Sequence, residues 1–319
     1  EGAARHCHRV SRAALLDRSL EGVLVFKIFT FGHYADLSGI LAASGNGWWL
    51  VAVLLLMPVN WMLEALKWKM LVVVVSEISF GNAVKAVLSG ITTGFSTPNR
   101  LGEFLGRVAS LHVDDRRPGF TLSMLNSLSQ NIVMALAGIP AAIVFFTCQS
   151  GSTSFNWHLY LVLVVSCLVL LLLFYFSLPG ISRWLQIQKP ASKMLVYTDC
   201  LSGFSLLGLI RVMVVTFFRY TVFCFQFYCM LLCFGVRPEP LQALIAIPAS
   251  YLFVTFTPSW AVSEAAIRGS YAVVFVGGFV SGHDLPIMLA GISLWMLNFV
   301  LPMFAGSVLL SAATKRADA

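Results

Sequence analysis

The sequence predicts an all-α polytopic membrane protein with about six full spans and two re-entrant broken hairpins, arranged as an inverted repeat. Three observations predict it. Of 319 residues, 58% are hydrophobic and only 11% charged, with mean hydropathy +0.84, whereas a soluble domain carries about 25% charged residues. That length covers about six to eight crossings and leaves no room for a large soluble domain. Second, two stretches answer one another, STPNRLGEFLGR from Ser96 to Arg107 and FTPSWAVSEAAIR from Phe256 to Arg268. In each, an apolar run stops at Thr-Pro, and an Arg follows a Glu by one helical turn: Glu103 with Arg107, Glu264 with Arg268. Proline removes a backbone donor and breaks the helix before it, and the Glu and Arg share one face of the next helix. Third, the basic residues collect in every second connection between the apolar runs, so that they fall on one side, as the positive-inside rule requires.

The elements are taken in chain order. Residues 1–47 form a basic N-terminus (Arg5, Arg9, Arg12, Arg18) and a weak first membrane segment, from about Leu20 to Tyr34 with Lys27 inside it. The chain starts with Glu, and its N-terminal segment lacks the short apolar core and small-residue cleavage site of a signal peptide. His6-Cys7-His8 on this tail offers alternating ligands but no closed metal site. Residues 48–147 form the first repeat of span, inner hairpin and span. Trp48-Trp49 mark an interfacial belt, and the span to about Val75 carries Glu64, Lys67 and Lys69, with Glu64 and Lys67 one turn apart. Apolar runs from Ala83 to Phe95 and from Leu101 to Val113 are too short to span comfortably, and read as a helix going in and a helix coming out. A full span, Phe120 to Phe146, has a polar face at Ser123, Asn126, Ser127 and Gln130.

Residues 148–203 hold a lipid-facing span from Trp157 to Leu178 and a basic connector from Pro179 to Gly203, with Arg183, Lys189 and Lys193. Residues 204–312 form the second repeat. A span from about Phe204 to Phe234 contains Arg211, Arg219 and Gln226. Runs from Leu241 to Phe256 and from Ala261 to Val280 flank Thr257-Pro258, and the last span, about Leu285 to Leu310, carries Trp295 and Asn298. Gly277, Gly278, Gly291 and Gly306 read as close-packing positions. Cys167, Cys224, Cys229 and Cys233 lie within apolar runs, where Cys acts as a small hydrophobe.

Topology comes from counting charges. With the N-terminus inside, the Pro98 hairpin opens on the inner side and the Pro258 hairpin on the outer side. Arg116, Arg117, Arg183, Lys189, Lys193, Lys315 and Arg316 then fall inside, and the outer loops hold only Arg237. Both termini are expected in the cytoplasm, with the chain in the cell (inner) membrane. The formal charge of +7 is thus explained by topology and by anionic headgroups rather than by nucleic acid. Two halves of opposite orientation are the usual build of an alternating-access transporter, with the site at their interface near midplane.

At NWMLEALKWK, TPNRLGEFLGR, the LSQN start of the next span and the second Thr-Pro break with its Glu and Arg, the chain resembles a known family. It is similar to the flippase-like transmembrane domain of lysylphosphatidylglycerol synthases, from about Trp48 onward. The resemblance implies movement of a charged or sugar-bearing lipid between leaflets. It also implies a stand-alone member without the soluble aminoacyl-transfer domain, not expected to make an aminoacyl lipid itself. The second break reads Pro258-Ser259-Trp260, where the resemblance leads one to expect a glycine-rich turn.

A charge at the bilayer centre costs at least about 2.5–3.5 kcal/mol and survives only when paired or wet. The candidate headgroup and phosphate contacts are therefore Glu64, Lys67, Asn99, Arg100, Glu103, Arg107, Gln130, Arg219, Glu264, Arg268 and Asn298. Arg presents a fork that matches phosphate, which singles out Arg100, Arg107 and Arg268. The helix starts after Pro98 and Pro258 add free N–H groups. Glu103 and Glu264 would hold the arginines, or receive a cationic head or a proton. Against this stands a structural reading, in which each Glu–Arg pair simply locks its hairpin, Arg211 snorkels to the surface, and Asn126, Gln130 and Asn298 join helices.

The leading expectation is a lipid flippase acting on an anionic phospholipid or polyprenyl-phosphate lipid. The alternatives are a membrane enzyme of lipid or lipid-linked glycan synthesis, and a non-transporting partner of a lipid synthase or glycosyltransferase. Asp114-Asp115 beside Arg116-Arg117 suggests a solvated loop more than a metal site. No catalytic motif, metal site or cofactor is expected, and a homo-oligomer is left open.

Overall fold

Apolar helices make up the computed structural model, which describes residues 47–150, 157–187 and 192–317. The expected segment from Leu20 to Tyr34, the His6-Cys7-His8 tail and Lys189 lie outside the described residues. The helices are α1 (Gly47–Val72), α2 (Phe80–Phe95), α3 (Gly102–Ala109), α4 (Arg116–Ser150), α5 (Trp157–Ile187), α6 (Ser192–Ser202), α7 (Leu206–Cys233), α8 (Pro240–Phe256), α9 (Ala261–Gly277), α10 (Asp284–Trp295) and α11 (Leu301–Ala317). A turn of π-helix, Met296–Val300, joins the last two. Among the described residues five helical stretches are long and apolar enough to cross a membrane: α1, α4, α5, α7 and α10 running into α11.

Both Thr-Pro breaks are present, and each comes after a helix too short to span. α2 has 16 residues and α8 has 17, about 25 Å at 1.5 Å per residue. Four other prolines, Pro58, Pro140, Pro179 and Pro248, sit inside helices without ending them. Helices packed among neighbours tolerate proline because side chains and adjacent helices satisfy the freed backbone groups. Pro98 and Pro258 instead lie just past the ends of α2 and α8. The tip after Pro98 places Asn99 and Arg100 at φ 48 and 59, in the left-handed region. Asn adopts this region readily and Arg seldom does, so the turn depends on its contacts. Thr97 Oγ1 accepts from Gly102 N at 2.7 Å, Asn99 N donates to Ser259 O at 2.9 Å, and Ser259 N donates to Asn99 Oδ1 at 2.8 Å. The two hairpin tips are thereby bonded to each other across 160 residues of chain.

Glycine sets how closely the first hairpin folds. A Cβ at Gly106 would stand 2.1 Å from Thr93 Oγ1 and 2.6 Å from Ser89 O, and one at Gly102 only 2.3 Å from Thr93 O. Gly90 meets Glu103 and Arg107 in the same way from α2. These two G-x-x-x-G pairs, 90/94 and 102/106, let the arms touch along their backbones. Of the glycines singled out for close packing, Gly278, Gly291 and Gly306 leave little room for a side chain: a Cβ there would stand 2.8 Å from the Phe145 ring, 3.3 Å from Arg268 O and 2.3 Å from Thr92 Oγ1 respectively. Gly277 has only ordinary contacts, from 3.5 Å.

Each short helix before a Thr-Pro break packs on another helix. α2 packs on α11 and α8 packs on α4. Gly306 of α11 lies against Leu88 and Thr92, and Gly138 of α4 lies against Pro248 and Leu252. Leu88 and Pro248, like Thr92 and Leu252, stand at the offset that separates Asn99 from Ser259. α1 and α7 pack along each other in opposite directions: Gln226 Nε2 reaches Val53 O, whereas Arg219, earlier in α7, reaches Glu64, later in α1. Apolar side chains form two cores, one around α8 and α9 and one around α1 and α2.

One stretch differs from expectation. The connector from Pro179 to Gly203 is helical on both sides of residues 188–191. α5 continues through Pro179 to Ile187, and α6 folds back on it through Ser182 Oγ to Thr198 O (2.6 Å) and Gln186 Nε2 to Asp199 Oδ1 (2.5 Å). One of these bonds runs to a backbone carbonyl and the other joins two side chains, so the connector is a packed helical pair on either side of residues 188–191. α4 likewise starts at Arg116, ahead of its apolar run.

Candidate functional site: a charged cavity where the hairpins meet

Residues from α1, α4, α7, both hairpins and the π turn enclose a cavity of about 460 Å³. All eleven sequence-derived candidates line it: Glu64, Lys67, Asn99, Arg100, Glu103, Arg107, Gln130, Arg219, Glu264, Arg268 and Asn298. Arg219 lies near the middle of α7, about 20 Å from either end.

Glu64 is the hub. Its carboxylate pairs with Lys67 Nζ at 3.2 Å, Arg107 Nη2 at 2.7 Å and Arg219 Nε at 3.2 Å, and accepts from Asn126 Nδ2 at 2.9 Å. One carboxylate on α1 thus binds its own helix, the first hairpin, α4 and α7. Lys67 is fully buried and also donates to Asn126 O at 3.3 Å. Charges so deep are tolerated because each is paired.

The two hairpin pairs are not alike. Arg107 Nη2 is shared by Glu103 and Glu64, and its side chain is 4% exposed. Arg268 holds Glu264 Oε1 alone, through Nε at 3.0 Å and Nη2 at 2.7 Å. Arg100 lies over the Phe299 ring, 3.3 Å from its centroid, and stands 3.9 Å from Glu103 Oε2. Arg219 Nη1 donates to Gln130 Oε1 at 2.8 Å, and Asn60 Nδ2 donates to Asn298 Oδ1 at 3.2 Å. Arg211, by contrast, is exposed on α7 away from the cavity.

Of the three arginines singled out for phosphate, Arg107 is the most enclosed. Arg100, Arg219 and Arg268 keep 31%, 25% and 13% of their side-chain surface free. Asn99 and Ser259 both line the cavity and are hydrogen-bonded to each other. Sequence reading missed Asn60, Phe299 and the glycines at 90 and 106. Only the glycines had a signal, their i, i+4 spacing beside the break. Among the described residues no group of three His, Cys, Asp or Glu is placed to hold a metal.

Five helical stretches among the described residues that are long and apolar enough to cross a membrane, four of them lining an ionic cavity, define a polytopic integral membrane protein. Within that class the chain belongs to the family described as the lysylphosphatidylglycerol synthase TM region, whose profile matches residues 21–286. Membership makes it a lipid-related membrane protein. The matched stretch contains every cavity residue except Asn298 and Phe299. No curated protein matches the chain.

Proposed function

We propose that this protein moves a phosphate-bearing lipid between membrane leaflets, through a polar cavity between two inverted repeats, without catalysing a covalent step. The carrying observation is the convergence of eleven charged and amide side chains from both halves on one cavity, under the bonded hairpin tips. Paired broken helices facing a common site are how transporters present backbone and charge to a substrate.

Two further features support the reading. α1 and α7 are antiparallel, and each leads through a short link into a broken hairpin. The hairpins therefore enter from opposite ends and meet tip to tip. The packing of α2 on α11 and of α8 on α4 is related by the same residue offset as the tips. The proposed lipid is an aminoacylated or sugar-bearing phospholipid or polyprenyl phosphate, supplied by a synthase or glycosyltransferase. The setting is the inner membrane, with both termini cytoplasmic.

Leaflet exchange in proteoliposomes tests this. Wild type is expected to exchange at least one of fluorescent phosphatidylglycerol, an aminoacylated phosphatidylglycerol and a polyprenyl-phosphate sugar. Glu103→Ala and Arg268→Ala should slow exchange roughly 10–100-fold, from loss of one charge-assisted contact. Exchange that survives both substitutions in folded protein would make the ion pairs structural. No exchange of any lipid would favour an enzyme or a non-transporting partner of a lipid synthase.

A further inference from the structure

The charge balance of the cavity narrows the lipids proposed above to those without an aminoacyl head, if the site is the lipid site proposed there. Five cations line it (Lys67, Arg100, Arg107, Arg219, Arg268) against three carboxylates (Glu64, Glu103, Glu264), an excess of two positive charges. The carboxylates are already engaged. Glu64 holds three cations, Glu103 holds Arg107 and stands beside Arg100, and Glu264 holds Arg268.

Unfilled donors are on the cationic side. Arg107 is 3% exposed, yet its Nε and Nη1 have no hydrogen-bond acceptor among the described residues. Arg100 Nε is likewise buried without an acceptor there, the side chain being held by the Phe299 ring and a 3.9 Å ion pair. Buried donors of this kind cost free energy until an acceptor reaches them. An uncompensated excess of charge in a low-dielectric site calls for a counter-ion of matching charge. Arginine forks select phosphate oxygens for that purpose.

We infer that the cavity takes a lipid head carrying two negative charges on phosphate, a phosphomonoester or a diphosphate, and disfavours a head bearing an ammonium group. Arg100, Arg219 and Arg268 approach from the first hairpin tip, α7 and the second hairpin, so the phosphate group bridges elements from both halves. An ammonium would meet the excess of cations and find each carboxylate already paired.

The test is lipid binding by native mass spectrometry of the detergent-purified protein, with phosphatidic acid, a polyprenyl diphosphate, phosphatidylglycerol and lysyl-phosphatidylglycerol in competition. The two doubly charged lipids are expected to bind about tenfold or more tighter than either of the others. Arg100→Gln and Arg268→Gln should each erase most of that preference, whereas Arg211→Gln, outside the cavity, should keep it. Thermal unfolding of each variant separates lost binding from lost fold. Equal or tighter binding of lysyl-phosphatidylglycerol overturns the inference. So does a preference that survives both cavity substitutions. Soluble diphosphate that binds while neither doubly charged lipid does would overturn a lipid source. Selective binding of a doubly charged lipid, with no leaflet exchange of that same lipid in proteoliposomes, supports this inference and overturns transport, so the two can fail separately.

Discussion

At the scale of single residues, Glu64 governs the site. It is 4% exposed and neutralises three cations from three helices. Removing one member of a buried ionic cluster costs about 3–5 kcal/mol because the rest are left unpaired. Glu64→Gln keeps the shape and removes the charge, so a loss of that order is expected in unfolding by denaturant or heat in detergent. The Glu64→Gln, Lys67→Met double variant should recover part of it, because one orphaned cation goes with its partner. Unchanged stability in Glu64→Gln would mean that the cluster is open to water. Of its ion pairs, only that with Lys67 was legible in sequence, as an i, i+3 neighbour. Arg107 and Arg219 reach Glu64 from other helices, and no local rule relates them.

At the scale of elements, the first hairpin is a backbone-to-backbone contact that glycine permits. Gly106→Ala places a methyl group against Thr93 Oγ1 and Ser89 O, neither of them a flexible chain end. Overpacking of this kind costs about 1–3 kcal/mol, and it would push Glu103 and Arg107 off their partners. Gly81→Ala, with nothing within 4 Å, should be neutral or stabilising by about 0.5–1 kcal/mol from helix propensity alone. Melting curves of the two variants should therefore move apart, and coincident curves would remove the close-packing argument. The helix breaks at Pro98 and Pro258 were readable because polar residues come after an apolar run too short to span. The helices through Pro179 were not, since proline in a packed helix carries the same letter as proline in a turn.

At the scale of the whole molecule, hydrogen bonds join the two hairpin tips beside the cavity. If transport requires the hairpins to part, a covalent link there stops it. Asn99→Cys with Ser259→Cys, in a background without the native cysteines, is expected to cross-link under oxidation, since the two backbones are already hydrogen-bonded. Oxidised protein should lose leaflet exchange and regain it on reduction. Full exchange by quantitatively cross-linked protein would mean that the lipid passes without separation of the tips. The same linkage brings residues 160 apart to one cavity, where Arg219 of the second half finds its carboxylate, Glu64, in the first.

Sequence by itself determined the membrane class, the two broken hairpins and the identity of the polar residues that gather between them. It could do so because a charge or a proline in an apolar run is costly wherever the chain goes, so its position carries information before folding. Tertiary structure alone decided which charges meet. It made Glu64 the common partner of three cations, enclosed Arg107 while leaving Arg100, Arg219 and Arg268 partly open, and set Asn99 against Ser259. Those outcomes depend on how far apart helix axes lie and which way each face turns, distances of a few ångströms that hydropathy and spacing do not encode.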